Sequence, residues 1–201
     1  GVLETSATDG TSGGQIVLSS DIDTIVAGEA RLLARSNLGT GGQVDILGDT
    51  VAIQNQALVD VSGATGGGVI NLNATKLVDV TSDVRLIANA LAAGDGGQIN
   101  ITGQDLNIAG SIAVQGGADS GDGGSVTLTA SQQVEFSGSV DASAKEGQRG
   151  DFVINAPTLT VDDSGADALS VSALEASNAN LTLNAQSQVV IDDLSSNQLR
   201  L

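Results

Sequence analysis

The 201 residues spell an all-β protein coiled as a parallel β-helix, and three observations carry that expectation. A double-glycine phrase followed by an alternating strand returns every 26 to 29 residues, the self-similar period of a solenoid. Each repeat contains short runs in which apolar residues alternate with polar or small ones, as in a strand with one buried face. The connections between these runs are short, about 4 to 7 residues, which leaves no chain for a crossover helix. Successive repeats must therefore stack on one another.

The first strand of each coil is marked by the glycine phrase. It is clearest in DVSGATGGGVINL, residues 60 to 72, where Gly67-Gly68 leads into Val69-Ile70-Asn71-Leu72. Equivalent phrases start at 13, 41, 96 and 123, and degenerate copies start at Arg149-Gly150-Asp151-Phe152 and Asn178-Ala179-Asn180-Leu181. These starts (13, 41, 67, 96, 123, 149, 178) define about seven coils of a single β-helical segment over residues 1–201. Alternation places Ile16, Val44, Ile70, Ile99, Val126, Phe152 and Leu181 in one inward column. The glycines suit turns of positive φ and close passage of one backbone past another.

The second strand reads Val51-Ala52-Ile53, Val78-Asp79-Val80, Leu106-Asn107-Ile108, Val134-Glu135-Phe136, Leu159-Thr160-Val161 and Val189-Val190-Ile191. In the first coil its place falls at Ile22 or Ile25. The third strand reads Ala30-Arg31-Leu32, Val59-Asp60-Val61, Val84-Arg85-Leu86, Ile112-Ala113-Val114, Val140-Asp141-Ala142, Leu169-Ser170-Val171 and Leu199-Arg200-Leu201. With coils about 4.8 Å apart, seven of them make a stack of roughly 30 to 35 Å. A leucine-rich repeat is excluded because its asparagine and helical half are missing, and the nonapeptide of the calcium-binding roll does not occur.

Composition narrows the partners. Seven basic against 24 acidic residues give a formal charge of −17, which opposes binding to nucleic acid or an anionic membrane. No stretch approaches the roughly 20 apolar residues that span a bilayer. The core must be built from Val, Ile, Leu and Ala, since Phe136 and Phe152 are the only aromatics. Without cysteine or histidine the chain has no disulfide, thiol chemistry or zinc-thiolate site. At its ends, residues 1–12 hold only Val2 and Leu3 as large apolar residues, and Leu199 and Leu201 resemble an ordinary third strand. Neither end reads as a cap, so the chain reads as a piece of a longer shaft whose open edges favour end-to-end association.

The phrase DVSGATGGGVINL, with its variants AVQGGADSGDGGSVTL and DASAKEGQRGDFVI, resembles the repeat region of filamentous-haemagglutinin-type exoproteins. These are the secreted partners of two-partner secretion systems in Gram-negative bacteria and cyanobacteria. The resemblance covers about residues 10 to 201 and lacks the family's Asn-Pro-Asn secretion motifs, the sole proline being Pro157. It implies a right-handed β-helix, export through an outer-membrane transporter, and adhesion at the bacterial surface to a carbohydrate or protein of a host cell or matrix. It carries over no binding residue.

Candidate chemistry is sparse. The outward column Asp79, Asn107, Glu135 places two carboxylates two coils apart, about 9.6 Å, near the upper limit for inverting glycosidases. It has neither basic nor aromatic support, so no enzyme is expected. On the third strand, the column Arg31, Asp60, Arg85, Ala113, Asp141, Ser170, Arg200 suggests lateral ion pairs. DSGDGG, residues 119–124, with Asp162-Asp163 and Asp192-Asp193, favours weak calcium binding without a dedicated site; no cofactor is expected. Arg149-Gly150-Asp151 spells an integrin-recognition tripeptide, a candidate binding site only at a protruding apex. Asn73, Asn100 and Asn180 begin Asn-x-Thr sequons, a number expected from composition alone. The expected function is an extended shaft that mediates or displays attachment. Its alternatives are a polysaccharide-binding or polysaccharide-cleaving β-helix and a filament-forming matrix component.

Overall fold

The computed structural model describes residues 1–162, 168–192 and 198–199. After β1 (Val2–Glu4), β2 (Gln15–Ser19), β3 (Asp23–Val26) and β4 (Arg31–Leu33), long and short strands alternate. The pairs are β5 (Gln43–Ile53) with β6 (Leu58–Asp60), β7 (Val69–Val80) with β8 (Arg85–Ile87), and β9 (Gln98–Ile108) with β10 (Ser111–Ala113). Next come β11 (Ser125–Phe136) with β12 (Ser139–Asp141), and β13 (Asp151–Asp162) with the two-residue β14 (Leu169–Ser170). The helix α1 (Val171–Ala176) and the final long strand β15 (Asn180–Ile191) complete the order.

Every pairing is parallel, and the strands form a six-stranded short sheet and a nine-stranded long sheet. This is a β-solenoid of about seven turns, as the repeat requires. The first inward column runs in register from Ile16 through Val44, Ile70, Ile99, Val126 and Phe152 to Leu181. All of it is buried except Leu181, which the last coil leaves half-covered.

The coil differs from three separate strands in one respect. From β5 onward the first two strands fuse into one of 11 or 12 residues, bent by a bulge between its halves. In β5 the inward positions are Val44 and Ile46 before the bend and Val51 and Ile53 after it, so the bulge flips the alternation and both halves still face the core. A polar bulge keeps the backbone ladder, where a loop would abandon it. Pro157 sits at the β13 bulge, between the pairings of Ala156 and Thr158, where its missing N–H breaks no ladder bond. The first coil keeps the two strands apart, as β2 and β3. There Thr24 and Val26 face inward, while Ile22 and Ile25 are both exposed.

A glycine closes each of five successive coils. The N–H of Gly42, Gly68, Gly97, Gly124 and Gly150 donates to the carbonyl of Ala34, Val61, Ala88, Val114 and Ala142 respectively, at 2.7–2.8 Å. The strand that leaves and the strand that begins are thus tied neck to neck. Of the two uses expected for glycine, it is the close passage that applies here, since none of these glycines has positive φ.

The structure adds one strand at the start and corrects the third strand expected at 169–171. Val2-Leu3-Glu4 is a strand, pairing with Arg31-Leu32-Leu33 as a further rung of the short sheet. Leu169 does not continue the short sheet; it lies between Phe136 and Val161 in the long one. Val171 starts α1, capped by the Ser170 hydroxyl, which accepts from the Ala173 N–H. This insertion accompanies the two phenylalanines, whose rings meet across the core with centroids 5.0 Å apart. The end of α1 covers β12: Asn178 exchanges backbone bonds with Val140 and Ala142, and the Ser177 hydroxyl accepts from Val140 N–H. Of the expected last strand, Leu199 packs against the core, while Arg200 and Leu201 lie outside the described residues.

Candidate functional site

With the core filled by apolar columns, chemistry is confined to outward columns and to the turns between strands. The second halves of the long strands hold Asp79, Asn107 and Glu135 in one column, in the register expected. Asn107 stands between the two carboxylates and donates its amide to Asp79 Oδ1 at 2.7 Å. The arrangement ties one coil to the next on an open wall.

The short sheet overturns the expected alternation of charge. Leu32, Val59, Leu86, Ile112 and Val140 share one register, which puts Arg31 and Arg85 level with Leu58 and Asp60 level with Leu33 and Ile87. Arg31 and Arg85 therefore do not flank Asp60. The expected alignment is displaced by two residues in these coils, a slip that leaves every side chain on its own face. Asp60 is buried and pairs instead with Arg35, Nη1 to Oδ2 3.8 Å, and its Oδ1 accepts from the Ser62 N–H at 2.9 Å. Arg35 also reaches Glu4 at 4.0 Å, so one guanidinium links neighbouring coils. Arg35 escaped the sequence reading because it follows the strand.

The first halves of the long strands carry the densest polar network. Asp45 accepts from Gln15 Nε2 at 2.8 Å, from Gln43 Nε2 at 2.9 Å and from Asn71 Nδ2 at 2.7 Å. Asn100 Nδ2 continues the ladder to Asn71 Oδ1 at 3.0 Å. Burial works to raise the Asp45 pKa, but the hydrogen bonds from Asn71, Gln43 and Gln15 outweigh it and hold the carboxyl below its usual range. A second ladder runs from Asn184 to Asn155 at 3.0 Å and from Asn155 to the Thr129 hydroxyl at 3.2 Å. At the bend, Lys76 pairs with Asp49 at 2.7 Å, which holds the Asp49 pKa down and the Lys76 pKa up.

The acidic turns also serve the stack. Asp95 Oδ1 accepts from the Asp122 N–H at 2.8 Å, and Asp122 Oδ1 accepts from the Gln148 N–H at 2.7 Å. Within 119–124, Asp122 is thus linked to the preceding coil through its N–H and to the following coil through its carboxylate. Among the described residues no group of three acidic side chains is placed to hold a metal ion. Asp162 ends β13, Asp192 follows β15 with its N–H on the Val161 carbonyl, and Asp163 and Asp193 lie outside the described residues.

The Arg149-Gly150-Asp151 tripeptide belongs to the wall. Gly150 is buried at the coil neck, where a β-carbon would lie 1.9 Å from the Gly124 oxygen, and Asp151 is the first residue of β13. Asn180 Nδ2 donates to the Arg149 carbonyl at 3.0 Å. Arg149 and Asp151 are exposed. The sequon residues Asn73, Asn100 and Asn180 all face outward on the long sheet, Asn100 within the ladder to Asn71. Compared with known proteins, the chain matches no family model, no curated protein and no solved structure.

Proposed function

We propose that this chain is a structural, attachment-bearing segment of a secreted bacterial surface protein. The observation that supports this most is the repetition of the wall: outward columns continue in register from coil to coil through the described residues. Such a surface suits many equal weak contacts better than one catalytic event. The strong negative charge disfavours nucleic acid and anionic membranes, and the glycine–strand phrase resembles secreted adhesins. On this reading an outer-membrane transporter exports the chain, and the wall displays or contributes contacts to a cell, surface or matrix.

A filament-forming matrix component is the second reading. It is favoured by the edges of the long sheet, where, among the described residues, β2 and β3 pair only with β5, and β15 pairs only with β13. Display of residues 1–201 on a non-adherent bacterial strain tests the primary proposal. Adherence to glass, polysaccharide gels or cultured cells is expected to exceed that of cells displaying a Gly96→Asp variant that cannot close its coils. Equal adherence would reject it.

A further inference from the structure

We propose that the attachment surface is the face formed by the first halves of the long strands, and that it takes a neutral, hydroxyl-rich polysaccharide lying along the solenoid axis. This rests on the attachment reading above and names its surface and its partner.

Three outward columns make this face: one from Gln15 to Asn180, one from Val17 to Thr182, and one from Ser19 to Asn184. Of their twenty-one positions, fifteen bear an amide or hydroxyl, and only Asp45 and Asp151 are charged. The face is less acidic than the adjoining halves of the same strands, where Asp23, Asp79, Asp105 and Glu135 point outward. Asp45 is itself enclosed by three amides. The adjoining halves of the same strands carry Asp79, Asp105 and Glu135 outward, and the turns on the other side carry Asp95 and Asp122, while the turn after β12 sets Lys145 and Arg149 beside Glu146. A polyanion would be repelled from the acidic adjoining halves and from Asp95 and Asp122, and no cation among the columns of the face could hold one. A neutral polymer meets neither obstacle.

The polar groups are spaced for a polymer. Columns about 6.8 Å apart and rungs about 4.8 Å apart give a flat strip about 14 Å wide that repeats once per coil. One rung is close to the length of a pyranose ring in an extended chain. The ladders Asn100–Asn71–Asp45 and Asn184–Asn155–Thr129 fix the amides before a ligand arrives, which lowers the ordering cost of binding. Each fixed amide uses part of its hydrogen-bonding capacity along the ladder and keeps the rest for solvent or hydroxyls. Without aromatic rings on this face, affinity must come from the number of rungs engaged.

The test measures retention of the 1–201 chain on cellulose and agarose particles, with alginate beads as the polyanion. Retention is expected on at least one neutral matrix and at least tenfold less on alginate. Asn100→Asp with Thr127→Glu puts two charges at the centre of the face and should lower neutral-matrix retention at least tenfold. Asn107→Asp with Gln133→Glu makes the same charge change on the adjoining half and should leave retention within twofold. Circular dichroism checks that each variant folds; if the central pair does not, Val17→Glu with Thr182→Glu charges exposed ends of the same column and should give the same loss. Equal retention by both pairs, retention on alginate equal to that on neutral matrices, or none on neutral matrices would overturn the proposal. So would a central pair that alters sedimentation mass but not retention, since the face would then join copies of the chain. Displayed cells that adhere while neutral matrices retain nothing would leave attachment standing and remove only this surface.

Discussion

Gly96 passes the carbonyl of Val114 so closely that a β-carbon would lie 2.0 Å from its oxygen. The same passage recurs at Gly41 with Val61, Gly67 with Ala88 and Gly123 with Ala142. The obstacle is backbone on both sides, so no side-chain rotation relieves it. Gly96→Ala is expected to destabilise the chain by about 3 kcal/mol or more, as severe overpacking does. Gly28, at φ +68° with nothing within 4 Å of its β-position, is the control. Gly28→Ala should cost about 1 kcal/mol from backbone strain alone. Urea denaturation of both variants checks the ranking.

The phenylalanine pair makes a second prediction. Phe136 and Phe152 are fully buried and reach each other from different columns. Phe152→Ala should cost about 3–5 kcal/mol, because rigid coils above and below cannot collapse into the cavity. Leu181→Ala, one rung further in the same column but half-exposed, should cost less than half as much. Equal losses would show that the terminal coil is covered in solution.

Acid should loosen the ladder at Asp45. Its folded pKa lies below the ordinary 3.8, so its stabilising contribution is complete above the unfolded value and is lost as pH falls through the folded one. Asp49 and Asp83, lowered by hydrogen bonds from Lys76 and Thr81 respectively, act in the same direction. The stability difference between wild type and Asp45→Asn should therefore shrink as pH drops from 5 towards 2. Denaturation midpoints across that range check it; a difference that grows on acidification would contradict it.

End-to-end association should depend on salt. The exposed Val17 and Ile25 lie on the first edge and Val189 and Ile191 on the last, while −17 of charge on each copy opposes contact. In dilute buffer the 1–201 chain is expected to sediment mainly as a monomer, with mass rising as salt or calcium screens the repulsion. A mass that stayed constant or fell would reject association through these edges.

The inward columns were legible from Ile16 to Leu181 because alternation reports directly which side of a strand is buried. The short sheet was harder. Moving Arg31 and Arg85 by two residues preserves every face, so periodicity cannot choose between registers, and the Arg35–Asp60 contact was hidden with it. Helix α1 was missed because Leu169-Ser170-Val171 alternates like a strand, although Ser170 before Val-Ser-Ala-Leu-Glu-Ala is a serviceable helix start. The charge-poor face was present in the sequence but appears only when residues are read down columns rather than along strands. The tripeptide at 149–151 shows the converse: a recognisable string whose central glycine the fold uses for closure.

In the proposed function the repeated wall, rather than any single site, carries attachment. Residues 96–122 form one complete repeat, and a solenoid tolerates its removal or duplication because each coil contacts only its neighbours. Retention on the best-binding matrix under steady flow should rise severalfold when this repeat is duplicated and fall severalfold when it is deleted, both chains remaining folded. Retention that is indifferent to coil number, or abolished by a single exposed substitution elsewhere, would contradict the account.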